Sequence, residues 1–322
     1  MRADLVLSTL LSVAALGVAR AQCSPAIQKL STDQRYDEAR AEAEALANKN
    51  SLNDAALHCV GWVLMNAGKS KDAIEWFEKA IKVDDKVSAH HLWLANALGE
   101  QADHTSKIKL PFLARRIKSE FEKASQLDPT SIEARHGLIQ FYSQAPGVMG
   151  GDMDKAKEQA NEIAKLNAMR GHLEMGALLE REKDVAGAER EYTAALTIAP
   201  DSNIAYSRLA SFFGRQKKFA EAVATYERLL KVKPDAINAR LNIAWNLVQS
   251  GKDVDRAERE AKAWLADQPK DAAPPTVSFA HYALGRIYEQ QAKKDAARGE
   301  YRVALTVNPK NEDAKKALAN LK

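Results

Sequence analysis

Through most of the chain, apolar residues return every three or four positions and charged residues fill the places between them. In the stretch from Val185 to Ile198, Ala188, Tyr192 and Ala195 fall on one side of a helix, while Glu189, Arg190 and Glu191 fall between them. That spacing predicts an amphipathic helix. Ala73, Phe77 and Ala80 repeat it, as do Ala222, Tyr226, Leu229 and Ala297, Tyr301, Ala304. No stretch alternates apolar and polar residues over the length of a strand, so almost no sheet is expected. One segment departs from the pattern: from Leu5 to Val18 the chain is a nearly uninterrupted apolar run.

The helical segments are copies of one unit. Gly176, Ala188, Tyr192, Ala195 and Pro200 form a frame that returns 34 residues later as Ala210, Ala222, Tyr226, Leu229 and Pro234. It appears again as Gly285, Ala297, Tyr301, Ala304 and Pro309, and as Gly61, Ala73, Phe77, Ala80 and Asp85. Each position has a physical task. The small residue lets a paired helix approach closely, and a larger side chain at the alanine of the crossing would overpack it. The aromatic residue fills the groove towards the next unit, and the closing proline ends the second helix, because it disfavours helical geometry in the residue before it.

In period and residue types the unit resembles the tetratricopeptide repeat. The resemblance implies an all-α, right-handed superhelical solenoid of helix–turn–helix pairs. Three degenerate units, His90 to Pro129, Ile132 to Ala168 and Ile237 to Pro269, bring the expected number to seven between residues 54 and 309. Insertions are expected near 101–110 and 145–151. Residues 22–53 read as an N-terminal part-repeat and 310–322 as a polar capping helix, since a solenoid must not leave its last apolar face in water. The Pro274-Pro275 segment is the one marked linker, and the repeat pattern resumes beyond it. Residues 91–151 are also similar to a subgroup of exported bacterial repeat proteins and to the repeat domain of eukaryotic microtubule-dynamics regulators.

The apolar run changes the picture of location. Met1-Arg2 precedes it and Ala19-Arg20-Ala21 follows with the small-x-small pattern of a signal-peptidase site, so residues 1–21 are read as a secretory leader. The run is shorter than a spanning helix needs, and no later stretch is long and apolar enough, so no permanent membrane span is expected after cleavage. Arg20 and Gln22 depart from a lipoprotein signal ahead of Cys23. An exported, periplasmic or envelope protein is therefore expected. In an oxidising compartment the two cysteines, Cys23 and Cys59, are the candidate disulfide; two unpaired thiols are the alternative.

Net charge is +4, about +3 once Arg2, Asp4 and Arg20 are removed, and acidic and basic residues alternate as in Glu180-Arg181-Glu182-Lys183. That reads as solvated helix faces, without the basic stripe of a nucleic-acid binder. None of the seven histidines stands in a His-Glu-x-x-His pattern, and the adjacent His90 and His91 point about 100° apart on a helix, so no metal is expected. In the glycine-rich segment from Pro146 to Asp152, Asp152 and Asp154 stand where a phosphate cradle needs a lysine and a hydroxyl; the segment reads as a turn in which one of the two caps the next helix.

Repeat arrays of this kind bind partners on the concave face, lined by the first helix of each pair. Counting three before and one after the small residue gives His58 and Trp62, Leu92 and Asn96, His136 and Gln140, and Leu173 and Ala177. Further along come Ser207 and Ser211, Leu241 and Trp245, and Tyr282 and Arg286. Trp62, Trp245 and Tyr282 are the leading candidates, as large aromatics at positions that should face solvent. The Lys, Asn and Arg set with which some family members clamp a C-terminal carboxylate is not present; Asn242, Arg208 and Arg240 are only loosely placed. No catalytic arrangement and no cofactor motif can be singled out. The expected function is a non-catalytic scaffold that binds a peptide or protein partner in the groove. Two alternatives stand beside it: a structural subunit of an envelope complex that uses the convex face or the 101–110 insertion, and a small-ligand protein with the Met149 loop as its lid.

Overall fold

The computed structural model describes residues 23–102, 104–269 and 272–321, so the expected leader lies outside the described residues. Among the described residues there are seventeen α-helices and one short 3-10 turn, and no strand. The first nine helices are α1 (Pro25–Thr32), α2 (Tyr36–Lys49), α3 (Asp54–Asn66), α4 (Ser70–Val83), α5 (Ser88–Ala102), α6 (Leu110–Leu127), α7 (Ile132–Gln144), α8 (Met153–Leu166) and α9 (Ala168–Arg181). The others are α10 (Val185–Ile198), α11 (Asn203–Arg215), α12 (Phe219–Val232), α13 (Asn238–Ser250), α14 (Val254–Asp267), α15 (Pro274–Gln290), α16 (Lys294–Val307) and α17 (Glu312–Asn320).

Polar residues start the helices and small residues pack them. Asn53, Ser131, Asp152, Asn167, Ser202 and Asn311 each cap a helix by accepting a backbone N–H of its first turn. The repeat alanines Ala73, Ala80, Ala188, Ala195, Ala222, Ala297 and Ala304 are fully buried. At Gly61 and Gly285 the small residue of the frame lies under the aromatic ring of its own pair. A Cβ on Gly61 would stand 2.7 Å from the Phe77 ring, and one on Gly285 would stand 2.4 Å from that of Tyr301. Each ring can press on the neighbouring helix only where no side chain stands.

The turns follow one rule. Between the helices of the regular pairs the backbone takes a positive φ at Gln34, Gly68, Lys183, Lys217, Gly251 and Ala292, and the α13–α14 turn has a second such residue, Asp253. Only two of these seven are glycine, so the other five hold a left-handed backbone against the preference of their side chains. The pairs α5–α6 and α7–α8 carry the insertions instead of this turn.

The described residues divide into two compact units, one ending at Lys183 and the other beginning at Asp184, although the repeat pattern runs through that point unbroken. The first unit holds α1 to α9 and the second α10 to α17. The Pro274-Pro275 linker does not separate domains: it forms the first turn of α15, where a missing backbone N–H costs nothing. In the first unit Cys23 and Cys59 are bonded, with Cα atoms 5.3 Å apart, which ties the start of α1 to the middle of α3. In the second, α17 lays Ala314, Ala317 and Leu318 against the cluster around Tyr301, and Ser278 donates to the Ala304 carbonyl while accepting from Asn311.

Candidate functional site

The groove positions are not alike along the chain. In the first unit His58, Trp62, Leu92 and Leu173 turn inward. Every residue of α3 from Ala56 to Met65 is buried, His58 completely and Trp62 to 2% exposure. Leu92 on α5 is buried too, as is Leu173 on α9. The expectation that Trp62 faces solvent is therefore corrected. Its helix is apolar all round, with His58 the only polar side chain between Asp54 and Asn66, and such a helix is enclosed on every face.

His58 is part of a buried polar chain. Its Nδ1 lies 2.9 Å from Nδ1 of His90, and His90 Nε2 lies 3.1 Å from an Asp54 carboxylate oxygen. One proton arrangement satisfies both contacts: His90 donates from Nε2 to Asp54, and His58 donates from Nδ1 to His90. That leaves His58 Nε2 as a bare acceptor, and it has no partner beside the rings of Phe77 and Trp93. Burial holds the His58 pKa well below the ordinary histidine value, with His90 adding to the effect. His90 is lowered as well, because burial outweighs Asp54. Adjacent His91 goes the other way. Burial would lower it, but Glu120 at 2.6 Å and the Asp85 carbonyl at 3.0 Å raise it overall. All three act as structural groups inside the unit.

Asn96, His136 and Gln140 are half-buried. His136 Nδ1 is 2.9 Å from Glu174 and its Nε2 is 2.7 Å from the Gln140 amide, so the pair is engaged within the protein. The Met149 loop is likewise occupied. Met149 packs on the core, Gly151 donates to the Pro146 carbonyl, and Asp152 donates to that of Tyr142 while capping α8 with its side chain.

In the second unit the same register builds a surface. Helices α13 and α15 lie side by side, tied by the Gln290 amide donating 2.8 Å to the Val248 carbonyl. Trp245 on α13 meets Phe279 at 5.1 Å and Tyr282 at 5.7 Å between ring centroids, both on α15. Tyr282 passes the contact on to Tyr301 at 5.9 Å. Trp245 and Phe279 are half-buried, Tyr282 is 8% exposed, and Leu241 is a buried support beneath them. Arg286 donates to the Tyr282 hydroxyl at 3.3 Å and pairs with Glu289 at 3.1 Å. The structure thus brings Trp245, Tyr282 and Arg286 together and adds Phe279, which sequence reasoning missed. The signal was present: Phe279 stands three residues before Tyr282, one helical turn away on the same face. On α11, Ser207 and Ser211 are half-buried, and Ser211 meets the Tyr226 hydroxyl at 3.2 Å. Leu173 apart, the α9 pair offers only the small Ala177.

Rings that are part exposed and held by neighbours make a rigid apolar platform, with one cation and one carboxylate at its rim. Among the described residues, no three His, Cys, Asp or Glu side chains converge as metal binding requires, and no helix is long and apolar enough to cross a membrane.

Comparison with known proteins places the architecture. Residues 30–86, 215–274 and 280–311 each match a tetratricopeptide repeat family model. A tetratricopeptide repeat protein from Parabacteroides merdae superposes with a TM-score of 0.56 at 16% identity, over 95% of this chain and 99% of that one. Yeast Tom70 superposes with a TM-score of 0.68 at 15% identity, over 100% of this chain and 66% of that one. Among curated sequences, cellulose synthase operon protein C of Xanthomonas axonopodis pv. citri is 26% identical over 180 residues, 53% of this chain and 12% of that protein. Human DnaJ homolog subfamily C member 3 is 33% identical over 100 residues, 31% of this chain and 20% of that protein. The chain thus spans a fifth or less of the curated relatives it matches. The fold class is an all-α repeat solenoid.

Proposed function

From the premise that this chain is a tetratricopeptide repeat protein, we propose that it is a non-catalytic scaffold that holds a peptide or protein partner against the aromatic wall of its second unit. Such repeats generally serve as protein-interaction scaffolds without chemistry of their own. The observation that carries the reading is the Trp245–Phe279–Tyr282 cluster. Two of its rings stay half-exposed at positions of the first helices, where burying them in the core was open to the fold, as α3 demonstrates. Half-exposed, preorganised aromatics of this kind are the usual anchors of an interface.

The scaffold is an exported protein of the bacterial envelope in this reading. The leader-like run at residues 1–21 supports export. So does the Cys23–Cys59 bond, since such bonds persist in oxidising compartments. The competing reading, a structural subunit of an envelope complex, finds its support in the first insertion-bearing pair, α5–α6, whose Ile108 and Phe112 are exposed.

A crosslinking pull-down from the native host's envelope separates the two, with Trp245→Ala/Phe279→Ala beside the wild-type chain. Loss of one dominant protein in the variant is expected. An unchanged set of captured proteins would sink the aromatic-wall reading and favour the insertion.

A further inference from the structure

The surface at the α5–α6 insertion has a composition of its own. From His104 to Lys118 the chain carries Lys107, Lys109, Arg115, Arg116 and Lys118 and no acidic residue, whereas elsewhere the two signs alternate. Arg116 and Lys118 have internal partners in Glu78 and Glu122. Lys107, Lys109 and Arg115 are exposed. Set among them are two large apolar side chains that the fold leaves in water, Ile108 at 85% exposure and Phe112 at 71%. Val148, 93% exposed, rises from the 3-10 turn that packs on α6, where Gly150 sits beside the Lys118 side chain.

We infer that this surface is a peripheral docking site for an anionic lipid bilayer, with Ile108 and Phe112 entering the headgroup region and Lys107, Lys109 and Arg115 meeting the lipid phosphates. Two features favour a bilayer over a protein partner. The charge that residues 104–118 carry is of one sign, matching the negative potential of an anionic leaflet, where each nearby lysine or arginine adds to attraction. The apolar side chains protrude singly and do not line a concavity; a fluid interface accepts that shape, while a protein hot spot is built on packed pockets. The stems of Lys107 and Lys109 can lie along the acyl boundary with their charged ends in the headgroups. The site lies on helices of the first unit and shares no residue with the aromatic wall of the second.

The test uses the full chain carrying Ile108→Cys. The two native cysteines are bonded to each other, so the introduced thiol alone takes an environment-sensitive fluorophore. The dye reports entry of this loop, whatever residues 1–21 do at a membrane. With vesicles of phosphatidylglycerol and phosphatidylethanolamine, emission should rise and shift to the blue, and high salt should reverse it. Phosphatidylcholine vesicles should give no response. Adding Lys107→Glu and Lys109→Glu should weaken vesicle affinity about tenfold or more. Unchanged emission on anionic vesicles would overturn the inference and leave the surface to an acidic protein. An equal response to phosphatidylcholine, or one insensitive to salt, would overturn it too, by showing that charge plays no part.

Discussion

Helix α3 and helix α13 occupy the same place in their pairs, yet one is core and the other is surface. Both carry a tryptophan at the position after the small residue, Trp62 in α3 and Trp245 in α13. Trp62 is 2% exposed, and Trp245 is half-buried against Phe279 and Tyr282. The helices differ in what surrounds the ring. Between its ends α3 has one polar side chain, His58, whereas α13 has Arg240, Asn242, Asn246 and Gln249. Place in the repeat therefore does not decide whether a groove residue meets a partner. The number of apolar faces on the helix that carries it does.

The contrast breaks most sharply at the buried tryptophans of the first unit. Trp93 on α5 is fully buried, stacked on Phe77 at 6.3 Å and edge-on to His58 at 6.5 Å. Trp93→Ala should cost about 3–5 kcal/mol in a denaturant titration, the loss expected for a large core aromatic. Trp62→Ala should fall near that range; a loss below about 1 kcal/mol would move Trp62 into the surface class with Trp245. Its indole N–H has no partner, so Trp62→Phe should cost far less than Trp62→Ala.

The bond between Cys23 and Cys59 comes next, because it belongs to the first unit alone. Its sequence separation is 36 residues, and closing a loop of that size constrains the unfolded chain by about 3–4 kcal/mol. Cys59→Ser, or reduction of the wild-type chain, should lower the stability of the first unit by about 3 kcal/mol and leave hydrogen exchange in α11 to α16 unchanged. Equal loss of protection in both units would mean that they unfold together.

Acid should also act on one unit. His58 and His90 are lowered by folding, so the unfolded chain binds more protons than the folded one below the ordinary histidine value of about 6.5. Their stabilising contribution is complete above that value and is lost as pH falls below it. His91, raised by folding, does the reverse: its contribution is present below about 6.5 and is lost as pH rises through its folded value. Two groups outweigh one, so the first unit should weaken between pH 6.5 and 5, by up to about 1.4 kcal/mol per pH unit for each net proton. Thermal unfolding of the His58→Leu variant across that range checks it. A slope as steep as that of the wild-type chain would place the titrating group elsewhere.

What could be read from the chain in advance divides along the same physical line. Helix positions, the burial of Ala73, Phe77, Ala188 and Tyr192, and a cap at Asp152 or Asp154 all follow from spacings within one pair, where each residue's neighbours are three or four positions away. The repeat frame also picked out Trp245, Tyr282 and Arg286, which the fold brings together, although Tyr282 is buried where a solvent-facing ring was expected. It failed at Trp62 and His58, because their surroundings depend on how α3 is enclosed and not on the repeat. Phe279 was missed for a related reason. It lies in the first turns of a helix that begins earlier than the frame implies, at Pro274, where two prolines suggested a linker. The division at Lys183 left no trace in the pattern, since a repeat frame records the similarity of units and not the area buried between them.

The finest test lies within the aromatic wall itself. Trp245→Ala removes a half-exposed ring and should cost about 1–2 kcal/mol of stability, well below Trp93→Ala. Tyr282→Phe removes less. Its ring stays between Trp245 and Tyr301, and only the hydroxyl that accepts from Arg286 at 3.3 Å is lost, a contact so long that stability should shift by about 0.5 kcal/mol or less. The same substitution leaves the Arg286 guanidinium at the rim of the wall held by Glu289 alone. If the wall is where a partner sits, partner affinity should change by more than stability does, because the less constrained cation then faces the partner. A stability loss as large as that of Trp245→Ala, with affinity unmoved, would show that Tyr282 and Arg286 only brace α15, and would reduce the binding surface to Trp245 and Phe279.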